Sequence, residues 1–369
     1  MERHLGNGIK EVHLPSLHNE TGFSLIETMI ALSITLVAVA TFTAIIPNSL
    51  KIQSRFDGLA NLLVIGSFNA FDFSQILKSA GGNQIPVWQS ILVDNNCATK
   101  WGLPDCAGSD RIHMLEIVFD SAGDFVLAPL PVVNPGYDPT KGTIQIDKTG
   151  GCPLNSKYQN VNIALVSGTT LLVAFSSGID VTKCVIQTGP SIQGAIFSNF
   201  DPASAERFVG KSALAVRLKT YFWDSVNLSI NRFVDTGNTG LSSSTNTFVE
   251  YTDIYDLQVA LGYYTPSASN SGSTVGDSFM RDTSDQNDCW YHNSPLDVWG
   301  QAGLTFAAPN QLKMIAVKFA VGSNQNASVG DGGGQFQMYD GPQRQYPAHK
   351  SIRITERKIY FRNEGLFLN

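Results

Sequence analysis

The chain has 369 residues, of which 43% are hydrophobic, 10% aromatic and only 15% charged, and its formal net charge is −6. That length fits one large or two ordinary folded domains, and the acidic balance argues against a general nucleic-acid binder, which needs a basic stripe. Sparse charge among plentiful Gly, Ser, Thr and Asn is the balance of a β-rich exported protein with long polar loops.

The first element is carried by "TGFSLIETMIALSITLVAVATFTAIIP", residues 21–47. Thr28 to Ile46 gives 19 residues without a charge. As a helix, Phe23–Ile46 spans about 36 Å at ~1.5 Å per residue, enough for a hydrocarbon core of ~30 Å. Pro47 marks the place where a kink or break is expected, at the outer membrane face. A secretory signal peptide cut near Ala38-Val39-Ala40 fits poorly, because Arg3 and Lys10 stand against Glu2, Glu11 and Glu20 ahead of the apolar run, where a basic stretch is required. A plain membrane anchor leaves Glu27 without a purpose. An acid at the bilayer centre costs about 2.5–3.5 kcal/mol, and less near a helix end.

Beyond Pro47 the helical pattern continues to the Gly81-Gly82 pair, a suitable stop. Leu59, Leu62, Leu63, Phe68, Phe71 and Leu77 recur at three- and four-residue steps, which predicts one face seated on a core. After Gly82 the pattern changes to short β-prone runs between turn-rich stretches. Strands are expected in "RIHMLEIVF" at 111–119, "TLLVAF" at 170–175, "ALAVRLKTYFW" at 213–223, "DLQVALGYY" at 256–264, "KMIAVKFAV" at 313–321 and "SIRITERKIYFRN" at 351–363. The glycine-rich polar stretches 235–247, 265–277 and 322–334 are expected to be loops. No repeat of fixed period is visible. One β-rich domain fits better than two, with 200–210 the place where a split is conceivable.

Five cysteines stand at 97, 106, 152, 184 and 289. None forms a CxxC, and Cys289-x-x-His292 has no second Cys or His pair beside it, so no zinc site is expected. Cys97 and Cys106 bracket a short loop whose closure would contribute roughly 2–3 kcal/mol on the chain-entropy estimate. Cys152 and Cys184 could close a second loop, leaving Cys289; spacing alone does not determine the pairing. An exported domain meets an oxidising compartment, which favours disulfides over buried thiols.

Evidence of catalysis is thin. "VGDSFMRD" at 275–282 contains the Gly-Asp-Ser block in which some esterases place their nucleophile, here Ser278. Only His292 and His349 follow it, neither in an Asp-x-x-His arrangement, and a triad needs a base within hydrogen-bond reach. His113 lies on a β-prone run and is expected to be packed. The acidic and glycine-rich stretches 281–288 and 330–335 lack EF-hand spacing, and the latter lacks the Lys-Ser/Thr of a phosphate-binding loop. No catalytic residue, metal ligand or cofactor is assigned.

The residues that give Glu27 a purpose are "GFSLIE" at 22–27, followed by the uninterrupted apolar run. They resemble the prepilin-peptidase site of type IV pilins and type II secretion pseudopilins. In those proteins a peptidase cuts after the glycine, the new terminal Phe is N-methylated, and the fifth mature residue is glutamate. The resemblance implies cleavage between Gly22 and Phe23, methylation of Phe23, and an assembly role for Glu27. The chemistry is coherent: the new ammonium lies one turn from Glu27, a carboxylate is favoured near a helix N-terminus, and a buried charge pair between staggered subunits acts as a register device.

Three later stretches are similar to PilW-type minor pilins. "NLLVIGSFNAFDFSQILKSAGG" at 61–82 resembles their helix end, with Gln75, Leu77, Lys78, Ala80 and Gly81 in the matching places and Gln75 replacing the usual acid. "DIYDLQVALGYYT" at 253–265 resembles their Asp-Leu-Gln-Val strand. "ITERKIYFRN" resembles their closing strand, ending here at Arg362 and Asn363. The resemblance implies an α+β fold, a long N-terminal helix with a transmembrane first half packed on a β-rich, mainly antiparallel globular domain. It implies a leader at 1–22, a membrane or filament-core segment at 23–47, an amphipathic half-helix at 48–82 and a periplasmic domain at 83–369. Cys97, Cys106, Cys152 and Cys184 are then the expected disulfide residues.

The expected role is that of a minor pilin priming pilus assembly near the filament tip, and not that of an enzyme. It would reside in the bacterial inner membrane and in the extracellular pilus. Expected partners are other minor pilins, the major pilin, the prepilin peptidase, the inner-membrane assembly platform and a PilY-type tip adhesin, with no nucleic acid. The alternatives are a GspJ-type minor pseudopilin of type II secretion and a membrane-anchored periplasmic hydrolase using Ser278.

Overall fold

The computed structural model describes residues 24–94, 105–117, 127–168, 170–190, 194, 197–198, 200–235, 247–263, 279–281, 289–291, 312–322, 334–338, 342–347 and 350–360. The chain divides into two compact units, residues 1–54 and 55–369, the boundary falling inside one helix. That helix, α1, runs Leu25–Lys78 and continues unbroken through Pro47. Its end is set by Gly81 and Gly82, whose φ angles of 71° and 53° favour residues without a Cβ. A 3₁₀ turn at Ala80–Asn83 and the short helix α2, Val87–Ser90, then lead into the sheets.

The strands in chain order are β1 (Ile91–Asp94), β2 (Arg111–Ile117), β3 (Leu130–Asp138), β4 (Thr143–Ile146), β5 (Asn162–Ser167), β6 (Thr170–Asp180), β7 (Val185–Gly189), β8 (Ser212–Asp224) and β9 (Ser229–Asp235). After them come β10 (Thr247–Thr252), β11 (Ile254–Tyr263), β12 (Phe279–Arg281), β13 (Cys289–Tyr291), β14 (Leu312–Gly322), β15 (Gln335–Phe336), β16 (Arg344–Gln345) and β17 (Ile352–Tyr360). All their described pairings are antiparallel. Each of the six expected strands is present, and the fold class is α+β.

The larger sheet does something the sequence does not announce. Strand β8 pairs β3, β3 pairs β4, β4 pairs β7, β7 pairs β6, β6 pairs β5, and β5 returns to β8. Six strands therefore close into a small barrel, which leaves no edge around that ring. Its interior takes residues from every strand, among them Leu130, Ile144, Ile163, Leu172, Ile186 and Ala215. The Cys152–Cys184 disulfide, with Cα atoms 5.5 Å apart, staples this cluster. Beyond the barrel, β8 runs on between β2 and β9. Strand β8 therefore belongs both to the barrel and to the next sheet region.

The smaller sheet has the order β12-β13-β11-β14-β17. The second half of α1 lies where the two sheets meet. Phe73 touches Tyr221 of β8 and Phe319 of β14 edge-on, with ring centroids 5.1 and 5.4 Å away. Each such pair contributes about 0.5–1.5 kcal/mol beyond area burial. Tyr251 of β10 donates to Asp72 Oδ2 at 2.7 Å. Gly66 faces β17, where an added Cβ would meet Thr355 Oγ1 at 2.6 Å.

The face that α1 buries differs from the one expected. Leu62 and Leu77 are buried as predicted, but they are joined by Gly66, Asn69, Ala70, Phe73 and Ser74. Leu63, Phe68 and Phe71 are exposed, Phe68 by 63%; the Leu59 side chain lies outside the described residues. The physical reason is close approach. The seated face carries a small residue where the helix comes closest to a strand, as Gly66 does at Thr355, while Leu62, Phe73 and Leu77 are the large residues it keeps.

Candidate functional site

The helix N-terminus is built as a reciprocal cap. Ser24 stands just ahead of Leu25, and its Oγ accepts from Ile26 N–H at 3.3 Å. Glu27 Oε2 accepts from Ser24 N–H at 3.1 Å. This is a variant of the Ser-x-x-Glu capping box in which the serine takes the second helical N–H instead of the third, and it satisfies two donors that a helix start leaves open. The sequence carries this signature as "SLIE" at 24–27. Glu27 therefore has a partner within its own helix, and its negative charge sits at the favourable end of the helix dipole.

From Ser24 to Gln53 every residue is exposed. Among them are Leu25, Ile26, Met29, Ile30, Leu32 and Ile34, each more than half exposed. The helix is long and apolar enough to cross a membrane, with a mean hydropathy of 2.4 over its most apolar 18 residues and none of that window buried. Its hydroxyls are consistent with an apolar medium. Ser33, Thr35 and Thr41 each donate to the carbonyl four residues back, at 2.7–2.8 Å. Thr28 and Thr43 likewise bond back into their own helix. A polar group in hydrocarbon must be satisfied internally, and these are.

The remaining assigned residues are distributed as follows. Gly22 and Phe23 lie outside the described residues, as do Cys97, Ser278, His292 and His349. Cys106 is buried and disulfide-bonded. Cys289 begins β13, where it pairs with Tyr263 in register. His113 is fully buried, its Nδ1 2.9 Å from Thr220 Oγ1, so it is a packed core histidine. The 281–288 and 330–335 stretches lie almost wholly outside the described residues.

A buried polar network accounts for the Asp-Leu-Gln-Val stretch. Asp256 and Gln258 are fully buried. Asp256 accepts from Ser109 Oγ and, at 3.3 Å, from Arg344 Nη2. Gln258 Nε2 donates to Gly108 O at 3.1 Å, while Asp110 Oδ2 accepts from Val259 N–H at 2.6 Å. Arg344 also stacks 4.4 Å above the Trp223 ring. These contacts latch β11 to the 105–111 segment and to the 342–347 segment. The arrangement is structural, with its charges matched by partners as burial demands. Next to it, burial pushes the Arg111 guanidinium below its ordinary pKa, opposed by Asp94 at 3.4 Å.

Residues 17–43 match the family described as the prokaryotic N-terminal methylation motif. No curated protein and no solved structure matches the chain. The methylation motif on an exposed apolar helix supports a type IV pilin-like or pseudopilin-like protein, a structural subunit whose N-terminal helix fits membrane anchoring.

Proposed function

We propose that the chain is a minor pilin of a type IV pilus, stored in the inner membrane by the first half of α1 and priming filament assembly at the tip. The observation that carries this reading is the methylation motif at 17–43, set on a helix whose first half is exposed throughout and apolar over nearly all its length. Cutting after Gly22 frees the Phe23 amine one turn from Glu27. A neighbouring subunit's Glu27 can then pair with that amine as apolar helix surfaces dock, each Å² of buried apolar area contributing about 25 cal/mol. The globular domain is the periplasmic and then extracellular part, presented to other minor pilins, the major pilin and a PilY-type tip adhesin. No substrate is turned over; the chain is itself the substrate of the prepilin peptidase.

Deleting the gene and counting surface pili tests this reading. Loss of pili, restored by the wild-type chain, is the expected result. Undiminished piliation overturns the priming role. Intact pili with lost protein export would assign the chain to the type II secretion pseudopilins instead.

A further inference from the structure

The end of the smaller sheet at β17 differs from the other strand edges of the molecule. Sheet edges are ordinarily blunted by shortness, by bulges or by charge. At the other ends β1 has four residues, β12 has three, and the register of β10 shifts between Val249 and Tyr251. Strand β17 has nine residues, stands last in its sheet, and pairs β14 over nine successive registers without a shift. What guards this edge is charge. Arg353, Arg357 and Lys358 stand against one acid, Glu356, which Lys318 engages at 3.3 Å. Arg353, Ile354, Glu356, Arg357 and Lys358 are all exposed. The strand is thus basic in a chain whose net charge is −6.

Side chains alternate along a strand, so Arg353, Thr355 and Arg357 share the face turned to α1. Gly66 meets Thr355 there, and the Arg357 guanidinium lies 5.9 Å from the centre of the Phe71 ring, a stacking that holds this charge beside the edge. We propose that the edge of β17 is a docking site for an extended acidic segment of a partner protein, which adds to the sheet as a further strand. In strand addition the backbone groups along the edge supply the ladder, and alternate side chains supply the selection. Acidic residues on the α1-facing side of the incoming segment meet Arg353 and Arg357. Apolar residues on its other side lie beside Ile354, which is 43% exposed. A second copy of this chain fits poorly. Two β17 strands meeting antiparallel about Thr355 set Arg353 against Arg357, and like charges directly opposite are destabilising. The same charges therefore reject the copy and select the acidic partner. The inference goes beyond the pilin reading and does not depend on it.

The test uses the purified full-length chain in detergent and a fluorescent peptide alternating glutamate with valine, matched to the nine residues of β17. Anisotropy reads its binding. The glutamate peptide should bind, and one with serine in place of glutamate should bind at least about tenfold more weakly. Methylating every second peptide nitrogen separates strand addition from a loose charge contact, because only alternate N–H groups of an added strand point at the edge. One methylated series should lose binding and the other keep it. The double variant Arg353→Glu, Arg357→Glu should weaken binding at least about tenfold, and Arg353→Gln, Arg357→Gln by less. Thermal unfolding and Cys152–Cys184 oxidation serve as folding controls. No binding of the glutamate peptide, equal loss in both methylated series, or unchanged affinity in the folded charge-reversed chain overturns the proposal. Sedimentation that finds a dimer dissociated by the peptide assigns the edge to a second copy and overturns it as well.

Discussion

The two halves of α1 are one helix in two environments. From Ser24 to Gln53 every residue is exposed, whereas between Gly58 and Leu77 one face is buried and the other is not. Two phenylalanines five positions apart show the contrast: Phe68 is 63% exposed and Phe73 is 0%. Apolar character alone does not distinguish the halves, since both are rich in it. What distinguishes them is whether β-strands lie against the helix. The first half presents apolar surface far beyond what isolated surface residues account for, the mark of a membrane or partner-facing element. The second half divides its surface between a seated face and an outward one.

If that division is right, substitutions in the two halves should fail in different ways. The largest effect is expected from Glu27→Ala. In the proposed filament Glu27 is one member of a buried charge pair, whose breaking typically costs about 3–5 kcal/mol, so the amount of the chain in sheared filaments should fall at least about a hundredfold by immunoblot. Thermal unfolding of the globular domain should be unchanged, and a matching drop in its Tm would collapse the distinction.

Next is Phe73→Ala, which empties the ring cluster between Tyr221 and Phe319. It should lower stability by about 3–5 kcal/mol in denaturant titration, while Phe68→Ser should stay within about 0.5 kcal/mol. Similar losses for both would show that the outward face is also seated. A bulky group at Gly66 probes the close approach to Thr355. Gly66→Leu should cost about 1–3 kcal/mol through overpacking, and a stable, fully folded variant would mean the helix can lift from β17 freely.

The smallest effect concerns pH and leaves α1 aside, which makes it a control on the sheet. Burial pushes the Glu116 carboxyl up, but hydrogen bonds from Lys219 and Arg217 outweigh it and hold the carboxyl below its usual value of 4.5. A depressed folded pKa means stability that is present above the unfolded value and lost as pH falls through the folded one. Glu116→Gln should therefore flatten the acid limb of the stability curve below pH 4.5 and leave its neutral region nearly flat. An unaltered acid limb would remove Glu116 from that account.

Much of this architecture was legible from the sequence, for reasons particular elements make plain. The apolar run from Thr28 and the strands at 111–117, 213–223 and 313–321 are long and strongly patterned, so local composition reveals them. Strands such as β4, β7 and β9 escape notice because they are short or carry polar and glycine residues, and they exist through pairing with distant partners. Barrel closure depends on β5 meeting β8 about 50 residues later, which no local window contains. Apolar size does not mark the seated face of the helix, since Leu63, Phe68 and Phe71 are exposed. Contact with a sheet selected Gly66, Asn69 and Ala70 instead. At the candidate site, Glu27 stood out because an acid in an apolar run is costly. Ser24 did not, because a serine ahead of a helix is unremarked until its partner at the third helical position is noticed.

Strand β8 joins two systems that could have been hinged by a loop. One stretch of it, Ser212–Val216, closes the barrel with β3 and β5, and the next, Val216–Phe222, pairs with β2 beside the helix seat. A pull applied to α1 enters through Phe73 against Tyr221 and passes along a single extended backbone into a closed ring. To part the two, several ladder hydrogen bonds would have to shear together. The seat of the helix and the barrel are thus joined by one continuous strand, with no loop between them.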